Sequence, residues 1–143
     1  MSLSTKIAAL RAMSRNERRM TVEAAVFLAI ARLLIVLAPM RRLRPILALE
    51  PKDPRAASDA SLREDVHRAV ARAARHVPWN AVCLPQAMAA KFMLARRGRA
   101  STLHLGAARS PTGDIEAHAW LVCDDAIVVG EAGAQGMTAV ARF

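Results

Sequence analysis

The chain of 143 residues contains no tyrosine, and three phenylalanines and two tryptophans are its only aromatic rings. Without aromatics among its arginines it offers no stacking platform for bases, and no nucleic-acid motif orders its cations. Nucleic-acid binding is therefore not expected. Cysteine is nearly as scarce: Cys83 and Cys123 stand alone, at no metal-site spacing. Neither a metal nor an organic cofactor is implied. The first twenty residues lack the apolar core and small-residue cleavage site of a secretory signal, so a reducing cytoplasm with free thiols is the expectation. Carboxylates are outnumbered, 12 against 21 Lys and Arg, which leaves a net charge of +9. Such a surface suits an anionic partner.

What is present is aliphatic. Hydrophobic residues make up 54% of the chain, so Ala, Leu, Val and Met do most of the packing in one domain of ordinary size. Ser14-Arg15-Asn16-Glu17 has capping-box spacing and opens a helix that runs to Leu37 and stops at Pro39. Glu23 and Arg32 interrupt its apolar run, so it reads as a core helix or one covering a partner rather than a membrane span. Contact with a membrane surface, through Arg18, Arg19, Arg41, Arg42 and Arg44, ranks below packing. Residues 40–49 form a short helix limited by Pro45. The division expected is a helical segment over 1–50, a connector over 51–60 rich in proline, and a core over 61–143. A second capping box, Ser61 to Glu64, starts a helix with Leu62, Val66, Val70 and Ala73 inward; it ends near His76, and Pro78 closes it. His67 and His76 are expected in solvent.

Leu84, Met88, Phe92 and Ala95 recur on one face of the next helix. Pro85 fits its first turn, and Gly98 follows Arg96 and Arg97 as a C-terminal stop. Cys83 then lies at the helix start, among unpaired N–H groups and the positive end of the dipole, a setting that favours thiolate. The competing reading is a small buried hydrophobe. After Gly98 the period becomes alternating. Residues 102–108, 116–123 and 126–131 read as strands, residues 130–136 as loop, and residues 137–143 as a last strand or tail. If Asp124-Asp125 is a two-residue turn, regular pairing sets His118 opposite Glu131, close enough for a carboxylate to orient the imidazole. Asp124 and Asp125 are the substitutes should the register slip. His104 is the rival base.

Pro78-Trp79, Cys83-Leu84 with Gln86-Ala87, the arginines before Gly98, and Ala117-His118-Ala119-Trp120 together resemble the leader peptidases of lasso-peptide biosynthesis. The N-terminal stretch agrees through Glu17-Arg18-Arg19, Glu23-Ala24, Ala31 to Leu34 and Pro39. These are cysteine peptidases of the transglutaminase-like superfamily. The resemblance, from about Ser14 to Phe143, implies an α+β, papain-like core, with a nucleophile helix on a small antiparallel sheet behind N-terminal helices. It implies Cys83 as nucleophile and His118 as general base and acid. The family's third member is usually an aspartate on the following strand. Gly130-Glu131 stands there, and Glu131 is the expected acid. The substrate would be a precursor peptide cut between leader and core. The chain resembles the split form, which relies on a separate leader-binding protein and hands its product to a lasso cyclase. A transglutaminase-like acyltransferase and a non-catalytic peptide-binding subunit of a maturation complex are the alternatives.

Overall fold

The Ser14 hydroxyl accepts from the Glu17 N–H at 3.2 Å while the Glu17 carboxylate accepts from the Ser14 N–H at 3.0 Å. The capping box thus opens the longest helix, as its spacing predicts. The computed structural model describes residues 2–55 and 59–143. Its elements run α1 (Leu3–Arg11), α2 (Arg15–Leu37), α3 (Met40–Leu47), α4 (Ala60–His76), α5 (Cys83–Arg96), β1 (Thr102–Arg109), β2 (Ile115–Cys123), β3 (Ala126–Val129), α6 (Glu131–Ala134) and β4 (Thr138–Arg142). The short α1, absent from the sequence expectations, has no buried residue; Leu3, Ile7 and Leu10 line a hollow against α2 and α4. Pro45 lies inside α3 and does not limit it; one lost backbone hydrogen bond is tolerated in so short a helix.

Asp59, rather than Ser61, caps α4. Its carboxylate accepts from the Leu62 N–H at 3.0 Å, which moves Ser61 into the first turn. His67 and His76 are not simply solvated. Each donates from Nδ1 to a carbonyl, His67 to Val128 at 2.8 Å and His76 to Arg72 at 2.7 Å. Part of the connector (residues 56–58) lies outside the described residues, and before it the Arg55 N–H bonds the Gly98 carbonyl at 2.8 Å.

Helices α2, α4 and α5 share one core, so the N-terminal segment and the rest of the chain are packed together. Ala24, Leu28 and Ala31 of α2 face Val66, Ala69, Val70 and Ala73 of α4 and the almost wholly buried α5. Alanines on the facing sides let the axes approach, and each fully buried Leu or Val adds about 1.5–3 kcal/mol. Lys91 of α5 is buried too. Its ammonium donates to the carbonyls of Ser101 and Phe143 and faces Glu50 at 3.8 Å.

Glu23 fastens α2 to the C-terminal end of α5, accepting from Arg96 at 2.9 Å and from Arg97 at 2.8 Å. Burial pushes its carboxyl up, but the hydrogen bond and charge of Arg97, helped by Arg96, bring it below the ordinary range. A carboxyl lowered on folding stabilises above its unfolded pKa and loses that contribution as pH falls through the folded value. Glu23→Gln is expected to cost about 1–3 kcal/mol near pH 7. Denaturation curves repeated at successively lower pH should show that difference shrinking as the carboxyl protonates.

The sheet is antiparallel throughout, in the order β3-β2-β1-β4. Leu103, Ala119, Leu121 and Cys123 occupy the face turned to the helical core, whereas His104, His118 and Trp120 share the other face. This is the alternation expected of β1 and β2. The α+β architecture, with α5 against a small antiparallel sheet and helices before it, is the expected one. Asp124 and Asp125 do form the β2–β3 turn, both left-handed at φ 50° and 61°, the requirement of a two-residue hairpin loop.

Register past that turn differs from the regular count. Cys123 pairs with Ala126 and Val122 with Ile127, but Leu121 then pairs with Val129. One extra residue is taken up on β3 as a bulge, and β3 ends at Val129 instead of reaching Glu131.

Candidate active site

Cys83 is the first residue of α5. It is half-buried and free, as is the buried Cys123. No side chain caps this helix start, Pro85 has no N–H, and neither the Cys83 nor the Leu84 N–H meets an acceptor among the described residues. Two donors therefore converge beside the thiol at the positive end of the helix. Gln86 braces the approach to the helix, its amide donating to the Ala81 carbonyl at 2.6 Å. Trp79 packs partly buried just ahead, with the Arg32 guanidinium 6.0 Å from its ring centre. Its buried Nε1 has no hydrogen-bond partner among the described residues.

His118 lies in the first half of β2, opposite Gly106 of β1. A residue without a side chain there leaves room that the Trp120 indole fills beside the imidazole. The ring stacks on Trp120, centroid to centroid 6.5 Å and 17° from parallel, and Trp120 stacks in turn on His104 at 5.3 Å and 7°. Trp120 also lies flat over Gly106, where a Cβ would come within 2.5 Å of the indole. The rival base His104 is thus held on the far side of Trp120 from His118. Burial, with the nearby charge of Arg142, pushes its pKa down.

The pairing of His118 with Glu131 is not formed. Because of the bulge the strand stops early, Gly130 turns left-handed (φ 91°), and Glu131 becomes the exposed first residue of α6. Its position borders the hollow shared with His67 and Arg63. What meets His118 is the main chain one residue earlier: Nε2 lies 2.9 Å from the Gly130 carbonyl oxygen. A carbonyl only accepts, so Nε2 is the donor, and in the neutral ring Nδ1 is then the acceptor nitrogen. Asp124, the substitute acid, is bound to Arg63 at 2.9 Å at the hairpin turn, and Asp125 shares that turn.

Two glycines make this contact. A Cβ on Gly130 would stand 2.6 Å from the Ala119 carbonyl and 2.9 Å from the Trp120 Cβ, so only glycine brings this carbonyl so close to β2. A Cβ on Gly133 would stand 2.3 Å from His118 Nε2 itself. The backbone of α6 therefore lies directly against the imidazole. The pair Gly130 and Gly133 was the available signal in the sequence, hidden by reading residues 130–136 as loop.

No hydrogen bond joins the Cys83 thiol to His118 among the described residues. The two are carried by packed elements, α5 and β2, but His118 projects from the sheet face opposite the one that packs on the helical core, so the structure does not bring the two side chains together. The chemistry available is that of a thiol at a helix start with two main-chain donors and an imidazole of fixed tautomer. No curated protein and no solved structure matches the chain significantly. Residues 24–142, which include Cys83, His118 and both glycines, match the family model described as the transglutaminase-like superfamily, and the chain belongs to that superfamily.

Proposed function

We propose that this protein is a cysteine peptidase that removes the leader from a ribosomally made lasso-peptide precursor, with Cys83 as nucleophile and His118 as base and acid. The superfamily is one of cysteine peptidases and acyltransferases. The observation that carries the reading is the bond from His118 Nε2 to the Gly130 carbonyl. It fixes the tautomer that leaves Nδ1 to take a proton from a thiol, the task of an orienting acid in a triad.

In this mechanism Nδ1 accepts the Cys83 proton and the thiolate attacks the scissile carbonyl carbon. The oxyanion is met by the Cys83 and Leu84 N–H groups. The carbon–nitrogen bond breaks as Nδ1 returns the proton to the departing amine, leaving a thioester on Cys83. Water then attacks with His118 as base, the carbon–sulfur bond breaks, and the thiol is restored. The mechanism requires the Cys83 thiol and His118 Nδ1 to meet when substrate binds, since in this structure His118 stands on the sheet face turned from the core that holds α5. A separate leader-binding protein supplies the precursor, and a cyclase takes the freed core.

The test is mass spectrometry of a precursor peptide incubated with the protein, with and without the leader-binding protein. Hydrolysis gives a leader with a free carboxylate; transfer gives an adduct with an added amine and supports the acyltransferase reading. An unchanged precursor in both arms contradicts both enzymatic readings and favours the binding subunit. Glu131→Gln is expected to keep cleavage within about threefold of the parent, since the carbonyl of residue 130 orients His118. A hundredfold loss would return that role to the carboxylate.

A further inference from the structure

The outward face of α2 is left largely uncovered by the described residues, although Val22 borders a hollow shared with α1 and Ile30 one shared with Leu49 and Phe92. Val22, Val26, Ile30, Leu33 and Val36 follow one another at three- and four-residue intervals, Leu37 lies four residues after Leu33, and all six are exposed, Leu37 to 77% and Val36 to 70%. Met40 at the start of α3 continues the stripe. By length and composition α2 is apolar enough to cross a membrane, yet only 28% of its most apolar window is buried. A core helix would be covered on most of its surface. Packing against α4 and α5 accounts for one face and leaves this one unexplained.

Charge brackets the stripe. Arg18 and Arg19 one turn before Val22, and Arg15 two turns before it, occupy the same side of α2, and Arg41, Arg42 and Arg44 lie on α3 beyond its end. All six are exposed, and none has an acidic partner among the described residues. The one arginine within the run, Arg32, directs its guanidinium to the Trp79 ring. Glu23, the one carboxylate within the run, turns the other way, to Arg96 and Arg97. What remains outward is an aliphatic strip of about 22 Å with cations at both ends. Arg18, Arg19 and the Glu23–Arg96 pair also rim a shallow groove floored by Val22, Val26 and Phe27.

We propose that this face docks on an anionic phospholipid bilayer, with α2 lying in the interface plane. Its aliphatic side chains enter the acyl boundary while the two arginine groups bind headgroup phosphates. The pairing of an aliphatic surface with cations at both ends matches the acyl chains and headgroup phosphates of an anionic bilayer.

Sedimentation with vesicles of phosphatidylcholine and phosphatidylglycerol in equal parts, against phosphatidylcholine alone, tests this. The full chain should partition at least about tenfold more strongly to the anionic vesicles, and less in high salt. Val26→Ser/Leu33→Ser/Val36→Ser and Arg18→Glu/Arg19→Glu should each lower partition at least about tenfold, with circular dichroism melts checking the fold. If the triple variant unfolds, Leu33→Ser alone and Arg41→Glu/Arg42→Glu decide in the same way. No binding to anionic vesicles overturns the proposal. Binding that ignores the serine variants overturns it too, as bare charge attraction. A dimer dispersed by those variants, or an acidic protein captured on this face while vesicles are not bound, assigns the face to that occupant instead.

Discussion

Cys83→Ala is expected to lower the rate of precursor cleavage about a thousandfold or more, leaving what binding and main-chain donors alone supply. The loss should fall on the chemical step, because the side chain removed forms the bond that becomes the thioester. Single-turnover cleavage followed by mass spectrometry measures it directly. Cys123 cannot substitute. It is buried on the helix-facing side at the far end of β2, and burial together with the Asp124 charge pushes its thiol pKa up. Replacing a half-buried side chain in the first turn should leave the fold intact, so thermal melts of parent and variant should nearly coincide. Retained cleavage would remove the enzymatic reading.

Gly133→Ala is expected to cost about a hundredfold in cleavage with only a modest effect on stability. Gly133 has no positive φ, so alanine suits its backbone, and the added methyl acts only through contact. That contact is with the imidazole, where the new Cβ would overlap Nε2 at 2.3 Å. Either the ring moves or α6 lifts; both break the bond to Gly130, and a displacement near 1 Å is enough for the loss. Gly136→Ala supplies the contrast. Its Cβ meets open space but its φ is 74°, so it should cost about 1 kcal/mol of stability and leave cleavage near the parent's. Equal loss in both variants would mean that α6 acts through general stability.

Much of the architecture follows from features confined to a few neighbouring residues. The Ser14–Glu17 box, the helical face through Leu84, Met88 and Phe92, and the alternation that sets His104, His118 and Trp120 on one side of the sheet are of this kind. The candidate site was less legible because it depends on register. One inserted residue between the partners of Leu121 and Val122 moved Glu131 off the strand and brought the Gly130 carbonyl to His118. No side-chain pattern encodes which residue a bulge takes up. Asp59 rather than Ser61 caps α4, since both residue types can accept from a first-turn N–H and spacing alone does not choose between them. Apolar periodicity alone could not tell which side of α2 the core covers, since Val22 and Val26 are as apolar as Ala24 and Leu28.

The central claim, that His118 activates Cys83, is tested most directly by alkylation with iodoacetamide near neutral pH, resolved by residue in digests of parent and His118→Ala protein. The account predicts that Cys83 is modified well ahead of the buried Cys123, and that His118→Ala slows modification of Cys83 about tenfold or more. Equal rates at Cys83 in the two proteins, with folding intact, would contradict it.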